Sequence, residues 1–197
     1  MLFNNKEEIN QAMQGIATQD NGNLVINNAD KLRGDILDKL VLNAAINPSV
    51  EVKGLSRFVI KAAALELGIV NSSIQGLYEA RGRGEIKGFT VPALNIRGLP
   101  YELCRAIFRT AIKTDAGAFI FELAKSEMNY SFQKPQELSA VILAAAIKEG
   151  YKGPVFIQGD HFQVNAKNYA QDKDKEIAGL KTLIENGIAG GFYNIDI

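Results

Sequence analysis

The chain of 197 residues contains one cysteine, one histidine and no tryptophan. Because Cys104 is alone, a disulfide within the chain and an all-cysteine zinc site are both excluded. Basic and acidic residues balance at 22 each, so no overall field favours nucleic acid or an anionic membrane. The longest uninterrupted apolar run, residues 140–147, is too short to cross a bilayer. We therefore expect neither nucleic acid nor membrane as a partner.

The first ten residues, MLFNNKEEIN, have neither the basic start nor the apolar stretch of a secretory signal. Together with the lack of cysteine pairs, this pattern predicts a cytoplasmic protein. Hydrophobic residues make up 47% of the chain, which is enough to bury a core in one domain or in a small pair.

Residues 1–88 are predicted to form a helical N-terminal region. Asn28 and Ser49 are each placed to cap a helix whose apolar residues recur at steps of three and four. A shorter helix is expected over residues 72–80. The stretch 80–88, ARGRGEIKG, matches no P-loop or dinucleotide fingerprint, so its composition predicts a linker.

From residue 89 the pattern changes to short apolar strands that alternate with helices. Strands are predicted at 89–96, 117–123, 154–158 and 191–197, and helices at 100–114, 135–149 and 174–187. This alternation predicts right-handed crossovers, a parallel sheet and an α/β fold. This spacing permits an open doubly wound sheet or a barrel. A (β/α)8 barrel needs about 250 residues, so the four strands predicted here lead us to expect that residues 89–197 are the N-terminal half of a TIM barrel. The native chain is then expected to continue beyond residue 197.

Polar side chains follow all four predicted strands. They are Asn95 and Arg97 after the first, Glu122, Lys125 and Ser126 after the second, Gln158, Asp160 and His161 after the third, and Asn194 and Asp196 after the fourth. Because ligands of α/β folds bind beyond the carboxyl ends of parallel strands, we expect these side chains to lie together at that end of the sheet.

Asp160 and His161 allow three interpretations from the residues alone. Asp160 is placed to cap a following helix, with His161 as an exposed first-turn residue. Alternatively, His161 is a metal ligand beside a proton carrier, or the two form an acid–base pair that needs no cation. One histidine cannot complete a zinc site, which takes three or four protein ligands. Lys125 is either a solvated loop residue or a Schiff-base nucleophile.

Four segments resemble, in unbroken order, the first four strands of the class II, zinc-dependent ketose-bisphosphate aldolases, the family of fructose-bisphosphate aldolase. These segments are FTVPALNIRG (89–98), GAFIFELAKSE (117–127), GPVFIQGDHFQ (153–163) and FYNIDI (192–197). The Asp–His pair at the end of the third segment is the most specific element of the resemblance.

The resemblance implies a (β/α)8 lyase that cleaves a ketose bisphosphate to dihydroxyacetone phosphate and an aldehyde, with Zn²⁺ stabilising the enediolate. It makes His161 the first zinc ligand and Asp160 the acid that exchanges a proton at the breaking bond. Asp196 then serves an accessory metal position, which takes a second divalent or a monovalent cation. Asn95 and Ser126 are implied substrate contacts, although Ser126 is displaced from the family's usual serine. A homodimer acting on a sugar phosphate is expected.

Some features depart from the family. Its other zinc ligands, two histidines and a glutamate, are expected beyond residue 197, so residues 1–197 alone are predicted to be inactive and poorly metallated. Residues 1–88 have no implied chemical role. Two alternatives remain open: a Schiff-base aldolase that uses Lys125, and a non-catalytic barrel subunit that supports a sugar-phosphate aldolase.

Overall fold

A computed structural model describes all residues 1–197 of the chain, which divide into two compact units. The first, which we call the helical unit, comprises residues 1–70, 99–116 and 137–154. The second, the sheet unit, comprises residues 71–98, 117–136 and 155–197. Each unit is therefore assembled from separate segments, and the predicted boundary at residue 88 lies inside the sheet unit.

The elements alternate along the chain. In order they are α1 (Lys6–Ala12), β1 (Ala17–Asp20), β2 (Asn23–Ile26), α2 (Ala29–Lys31), α3 (Leu37–Ile46), α4 (Val50–Glu66), β3 (Ile69–Ser72), α5 (Gln75–Gly82), β4 (Ala93–Asn95), α6 (Pro100–Thr114), β5 (Ile120–Ala124), α7 (Lys125–Ser131), α8 (Pro135–Glu149), β6 (Gly153–Asp160), α9 (Ala166–Gln171), α10 (Lys173–Gly190) and β7 (Asn194–Ile195). None of these helices is long and apolar enough to span a bilayer.

The helical unit forms where the caps and the apolar stripes predict it. The Asn28 side chain accepts a hydrogen bond from the Lys31 amide, and the Ser49 hydroxyl accepts one from the Val52 amide. A π-helical turn with a kink at Gly34 joins α2 to α3. The apolar faces of α3 and α4 are buried at Leu37, Leu40, Ala44, Val52, Ile60 and Ala63.

Polar groups buried in the helical unit have partners. Asn43 and Asn47 hydrogen-bond to each other at 2.7 Å and to the two backbone groups of Phe3, which secures the N-terminus against α3. Asp38 accepts a hydrogen bond from Tyr101 at 2.7 Å and pairs with Lys148 at 2.8 Å. Burial raises the pKa of the Tyr101 hydroxyl, and the bond to Asp38 adds to that shift.

The sheet has five strands in the order β3-β6-β5-β4, and β7 also pairs with β6. The pairs β4–β5, β5–β6 and β6–β7 are all parallel. This arrangement confirms the prediction of an α/β fold with a parallel sheet. Below the polar strand ends, Ile74, Ile120 and Phe156 form a buried apolar cluster against which Leu77 packs.

The predicted elements differ from the observed ones mainly in the first 88 residues. That region was expected to be helical, but it also contains the β1–β2 hairpin and strand β3. The turn at Asn21 and Gly22, both with positive φ, is the type of signal that marks a hairpin. Strand β3 carries no comparable signal, because it is four residues long and pairs with β6, which is distant in sequence. Helices α6 and α8 have the predicted bounds, whereas α7 and α9 were not predicted.

Candidate active site

Polar side chains form a row across one face of the sheet. The register aligns Asn95 with Glu122, Glu122 with Gln158 and Gln158 with Asn194. Because paired residues of parallel strands point to the same face and the side-chain period is two, Asp160 lies on this face too. The expectation that polar groups meet at the carboxyl ends of the strands therefore holds for β4 to β7.

Asp160, His161 and Asp196 come together at the ends of β6 and β7. Their possible ligand atoms all lie within 4.8 Å of one another. The Asp160 side chain is 13% exposed and that of His161 is 65% exposed, so one carboxylate is shielded while the imidazole faces solvent. The structure thus brings together three residues that the sequence analysis placed at two separate strand ends.

A packed aromatic ring holds the loop that carries His161. Phe162 is fully buried, and a Cβ atom added to Gly159 would approach its ring to 2.5 Å, so this position has no room for a side chain. The Phe162 amide donates to the Asp196 carbonyl at 2.8 Å, and the Asp196 amide donates to the Gly159 carbonyl at 2.9 Å. These contacts fix the His161 loop against the end of β7.

His161 has a left-handed backbone conformation, with φ +50°. This region is costly for a residue with a Cβ atom and persists only where the surrounding structure imposes it. Here Phe162, the next residue, is buried and bonded to the Asp196 backbone, so the turn at His161 is imposed by its neighbour. Strain of this kind concentrates at functional sites.

The electrostatics of the cluster favour bound cations or protons. Burial raises the pKa of Asp160; the charge of His161 opposes this shift and that of Asp196 adds to it. Burial also raises the pKa of Glu122, to which the carboxylates of Asp160 and Asp196 contribute further. The Gln158 amide donates to Glu122 at 3.2 Å. Carboxylates crowded in this way are stabilised by a positive charge placed among them.

The two imidazole nitrogens of His161 have different neighbours. Nε2 lies 3.6 Å from Asp160 Oδ1, and the Gln163 side-chain nitrogen lies 2.9 Å from Nδ1. If the Gln163 amide donates to Nδ1, the proton of the neutral ring is on Nε2 and points towards Asp160. A cation bound at Nε2 would instead require the ring proton on Nδ1, where it would be donated to the side-chain oxygen of Gln163 once that amide turns over.

The donor set fits a divalent cation. One imidazole nitrogen and two carboxylate oxygens are ligands that Zn²⁺ accepts, and two ligands of a tetrahedral zinc are roughly 3.4 Å apart. The 3.6 Å between His161 Nε2 and Asp160 Oδ1 is close to that spacing. The other ligand atoms of the cluster lie within 4.8 Å of one another, so they would have to move slightly closer together to bind one ion. His161 is the residue that would hold this ion, Asp196 would serve an accessory cation position, and Asp160 lies beside both.

The predicted substrate contacts lie at two places. Asn95 is at the end of β4, and its side-chain oxygen is buried without a hydrogen-bond partner. Ser126 is in the first turn of α7 and lines a groove of about 460 Å³ that His161 and Gln163 also line. The structure therefore brings Ser126 to the same groove as His161, and it aligns Asn95 with Glu122 across the sheet.

The structure bears on the other interpretations of Asp160 and Lys125. Asp160 caps no helix: α9 begins at Ala166, and its cap is Asn165, whose side chain accepts from two backbone amides. The capping interpretation of Asp160 is therefore wrong. Lys125 lines the groove beside Ser126, and its Nζ lies 3.5 Å from Glu176, so an ion pair occupies the amine.

Gln163 and Glu122 are the site residues to which the sequence analysis assigned no role. Gln163 stands two residues after His161, a spacing that carries no recognised signal. Glu122 was placed at a strand end, but its proximity to Asp160 and Asp196 depends on the strand register.

Comparison of the chain with family models, with curated proteins and with solved structures found no match. The geometry of the site and the four segments that resemble aldolase strands are therefore what supports a function.

Proposed function

We propose that this protein is a metal-dependent lyase of the class II aldolase type. It would cleave a ketose bisphosphate, such as fructose 1,6-bisphosphate, to dihydroxyacetone phosphate and an aldehyde phosphate. The observation that supports this function best is the convergence of Asp160, His161 and Asp196 within 4.8 Å beyond adjacent parallel strands. The segment that carries the Asp–His pair is also the most specific part of the aldolase resemblance.

The strand order supports the half-barrel part of this proposal. Strands β4, β5, β6 and β7 pair in the order in which they occur in the chain, each pair is parallel, and β3 also pairs with β6. Successive strands of a (β/α)8 barrel have this arrangement, with the active site at their carboxyl ends. We propose that these strands are the first four of such a barrel.

The metal chemistry and the proton chemistry belong to different residues. A divalent cation bound to His161, with Asp196 at an accessory position, would supply a Lewis acid that stabilises the negative charge developing on substrate oxygens. Zn²⁺ is the proposed ion, since imidazole and carboxylate both suit it. A second divalent or a monovalent cation is compatible with the carboxylate of Asp196.

Asp160 is the proposed proton carrier. In cleavage its carboxylate takes the proton of the hydroxyl on the carbon beside the breaking bond, and that C–O group becomes the aldehyde carbonyl. The electron pair of the carbon–carbon bond passes to the ketone fragment. The raised pKa of Asp160 suits this exchange, because a partly buried carboxyl group takes up a proton more readily than an exposed one.

Other site residues are proposed to position the substrate. Asn95 has a buried oxygen without a partner, and Ser126 shares a groove with His161, so both are placed to contact polar substrate groups. A homodimer and a cytoplasmic location accompany this proposal as predictions.

The test is Asp160→Ala in the protein as the gene encodes it. We expect turnover of fructose 1,6-bisphosphate to fall by about 10²–10⁴-fold, the usual contribution of a general acid–base, while elemental analysis finds the metal retained. Asp174→Ala, on the first turn of α10, is the matched control and should behave as the wild type. Unchanged turnover in Asp160→Ala would remove the assignment.

A chelator and a reductant separate the two aldolase chemistries. Loss of turnover on chelation, restored by Zn²⁺, is expected for the proposed mechanism. A substrate adduct on Lys125 trapped by borohydride would instead establish Schiff-base chemistry and overturn the metal-dependent proposal.

A further inference from the structure

A second groove, of about 580 Å³, is lined in part by Asp196. Its polar lining comes from three parts of the sheet unit: the turn before α5, the end of β6 and the segment around β7. These residues are Ser73, Gln75, Tyr78, Gln158, Tyr193, Asn194 and Asp196. Because Asp196 belongs both to this groove and to the metal-candidate cluster, a molecule in the groove would reach the proposed reaction centre.

The chemistry of the lining suits hydroxyl groups and disfavours phosphate. No lysine or arginine lines the groove, and Asp196 is an acid, so an anion would meet no compensating charge. Hydroxyl and carboxamide side chains both donate and accept hydrogen bonds, as sugar hydroxyls do. Tyr78 is 44% exposed and Tyr193 is 48% exposed, so both offer an open aromatic face beside a phenolic hydroxyl.

The groove wall formed by residues 73–78 is fixed in place rather than loosely attached. The buried Asn194 side chain accepts hydrogen bonds from the Ile74 amide at 2.8 Å and the Ser73 hydroxyl at 3.3 Å. The same side chain donates to the carbonyls of Ile157 at 3.0 Å and Ser72 at 3.4 Å. One amide thus satisfies both its oxygen and its nitrogen in tying this segment to β6.

Apolar packing reinforces this attachment. Ile74 is buried against Ile120 and Phe156, and Leu77 packs against the same cluster. Because α5 is helical from residue 75, Ile74 and Leu77 can face the sheet while Gln75 and Tyr78 line the groove. The segment therefore presents rigid polar groups, the arrangement that a specific binding site needs.

We propose that this groove binds the uncharged, hydroxyl-bearing carbon chain of a sugar substrate, with Tyr78 and Tyr193 as specificity-determining residues. The identity of the ligand as part of a sugar phosphate rests on the proposed function. The groove gives residues 71–78, which lie outside the segments that resemble aldolases, a role in choosing the substrate. The phosphate groups of the same substrate would be held elsewhere.

The direct test measures binding of D-glucitol, an uncharged hexitol, to the full chain by saturation-transfer difference NMR after chelator treatment. We expect glucitol to bind the wild-type protein, and we expect inorganic phosphate not to displace it. Tyr78→Ala combined with Tyr193→Ala should weaken glucitol binding by roughly tenfold, the usual effect of removing aromatic contacts. Tyr169→Ala, at a partly exposed tyrosine on α9 outside the groove, is the matched control and should bind as the wild type.

Conservative variants separate binding from folding. Tyr78→Phe and Tyr193→Phe keep the ring that packs and remove only the hydroxyl, so a weaker interaction with glucitol in these variants supports hydroxyl recognition. Unchanged glucitol binding in the double alanine variant, or displacement of glucitol by phosphate, overturns the proposal.

This assay needs neither metal nor turnover, so its outcome is distinct from that of the lyase test. Loss of glucitol binding in the tyrosine variants supports the groove even if Asp160→Ala leaves turnover unchanged. Conversely, if the lyase activity is confirmed while the tyrosine variants bind glucitol normally, the proposed function stands and the groove proposal is overturned. In an active enzyme, Tyr78→Ala should raise KM for the ketose bisphosphate without changing the metal content.

Discussion

The helical unit and the sheet unit differ in whether their buried polar groups have hydrogen-bond partners. In the helical unit Asn43 and Asn47 are fully paired, and Asp38 has both Tyr101 and Lys148 as partners. In the sheet unit Asn71 and Asn95 each keep a buried side-chain oxygen without a partner. There, burial raises the pKa of Glu122, and the nearby carboxylates of Asp160 and Asp196 raise it further.

The difference indicates where the sequence is optimised for stability and where it is not. Buried polar groups that find partners add to the stability of a fold, whereas crowded acids and orphaned amides reduce it. Such unfavourable features concentrate at functional sites, where ligands complete the missing interactions. The sheet unit is therefore the place to look for chemistry, and four pairs of substitutions test this comparison.

The largest expected effects come from matched phenylalanines. Phe162→Ala in the sheet unit and Phe108→Ala in the helical unit each remove a fully buried ring, and each should cost about 3–5 kcal/mol in free energy of unfolding. In the protein as the gene encodes it, only Phe162→Ala should also weaken Zn²⁺ binding, because Phe162 anchors the His161 loop. Urea denaturation and equilibrium dialysis of the folded protein measure the two quantities. Equal Zn²⁺ affinity in both variants would contradict the assigned role of Phe162.

Matched glycines should respond with opposite signs. A Cβ at Gly159 would meet the Phe162 ring at 2.5 Å, so Gly159→Ala should destabilise the protein by about 1–3 kcal/mol. Gly54 lies inside α4 with open space around it, so Gly54→Ala should stabilise the protein by about 0.5–1 kcal/mol. Thermal and urea unfolding report both changes, and a shift of the same sign in both variants would refute the contrast.

Gln163 tests whether the orientation of the His161 ring matters. Gln163→Leu removes the group 2.9 Å from Nδ1, and the affinity for Zn²⁺ should fall by roughly 10–100-fold, as is usual when a ligand loses its outer partner. Gln11→Leu, on α1 of the helical unit, is the control. Calorimetric titration with Zn²⁺ measures both affinities. Identical affinities in both variants would remove the role of Gln163.

The smallest expected effect concerns Glu122. Because its pKa is raised in the folded protein, the stability it contributes is complete below the pKa of the unfolded chain and is lost as pH rises through the raised value. Glu122→Gln should therefore raise Tm slightly near pH 7, and the difference should vanish under acidic conditions. Glu66→Gln, at an exposed position of α4, is the control. A destabilised Glu122→Gln protein near pH 7 would contradict the electrostatic account of the cluster.

Much of the secondary structure was predictable because its causes are local. The bounds of α6 and α8 follow from proline at their first positions and from apolar periodicity, and both match the structure. The caps at Asn28 and Ser49 were likewise correct. The β1–β2 hairpin was missed although its Asn21–Gly22 turn was available as a signal.

The sequence by itself determined which residues would stand at the ends of strands, since alternation and capping operate within a few residues. Only the tertiary structure decided that Asp196 joins Asp160 and His161, because β7 pairs with β6 across an intervening pair of helices. It also decided that residues 73–78 line a groove at Asp196, through hydrogen bonds to Asn194 some 120 residues away. Contacts of this length depend on strand register and packing, which no local pattern encodes.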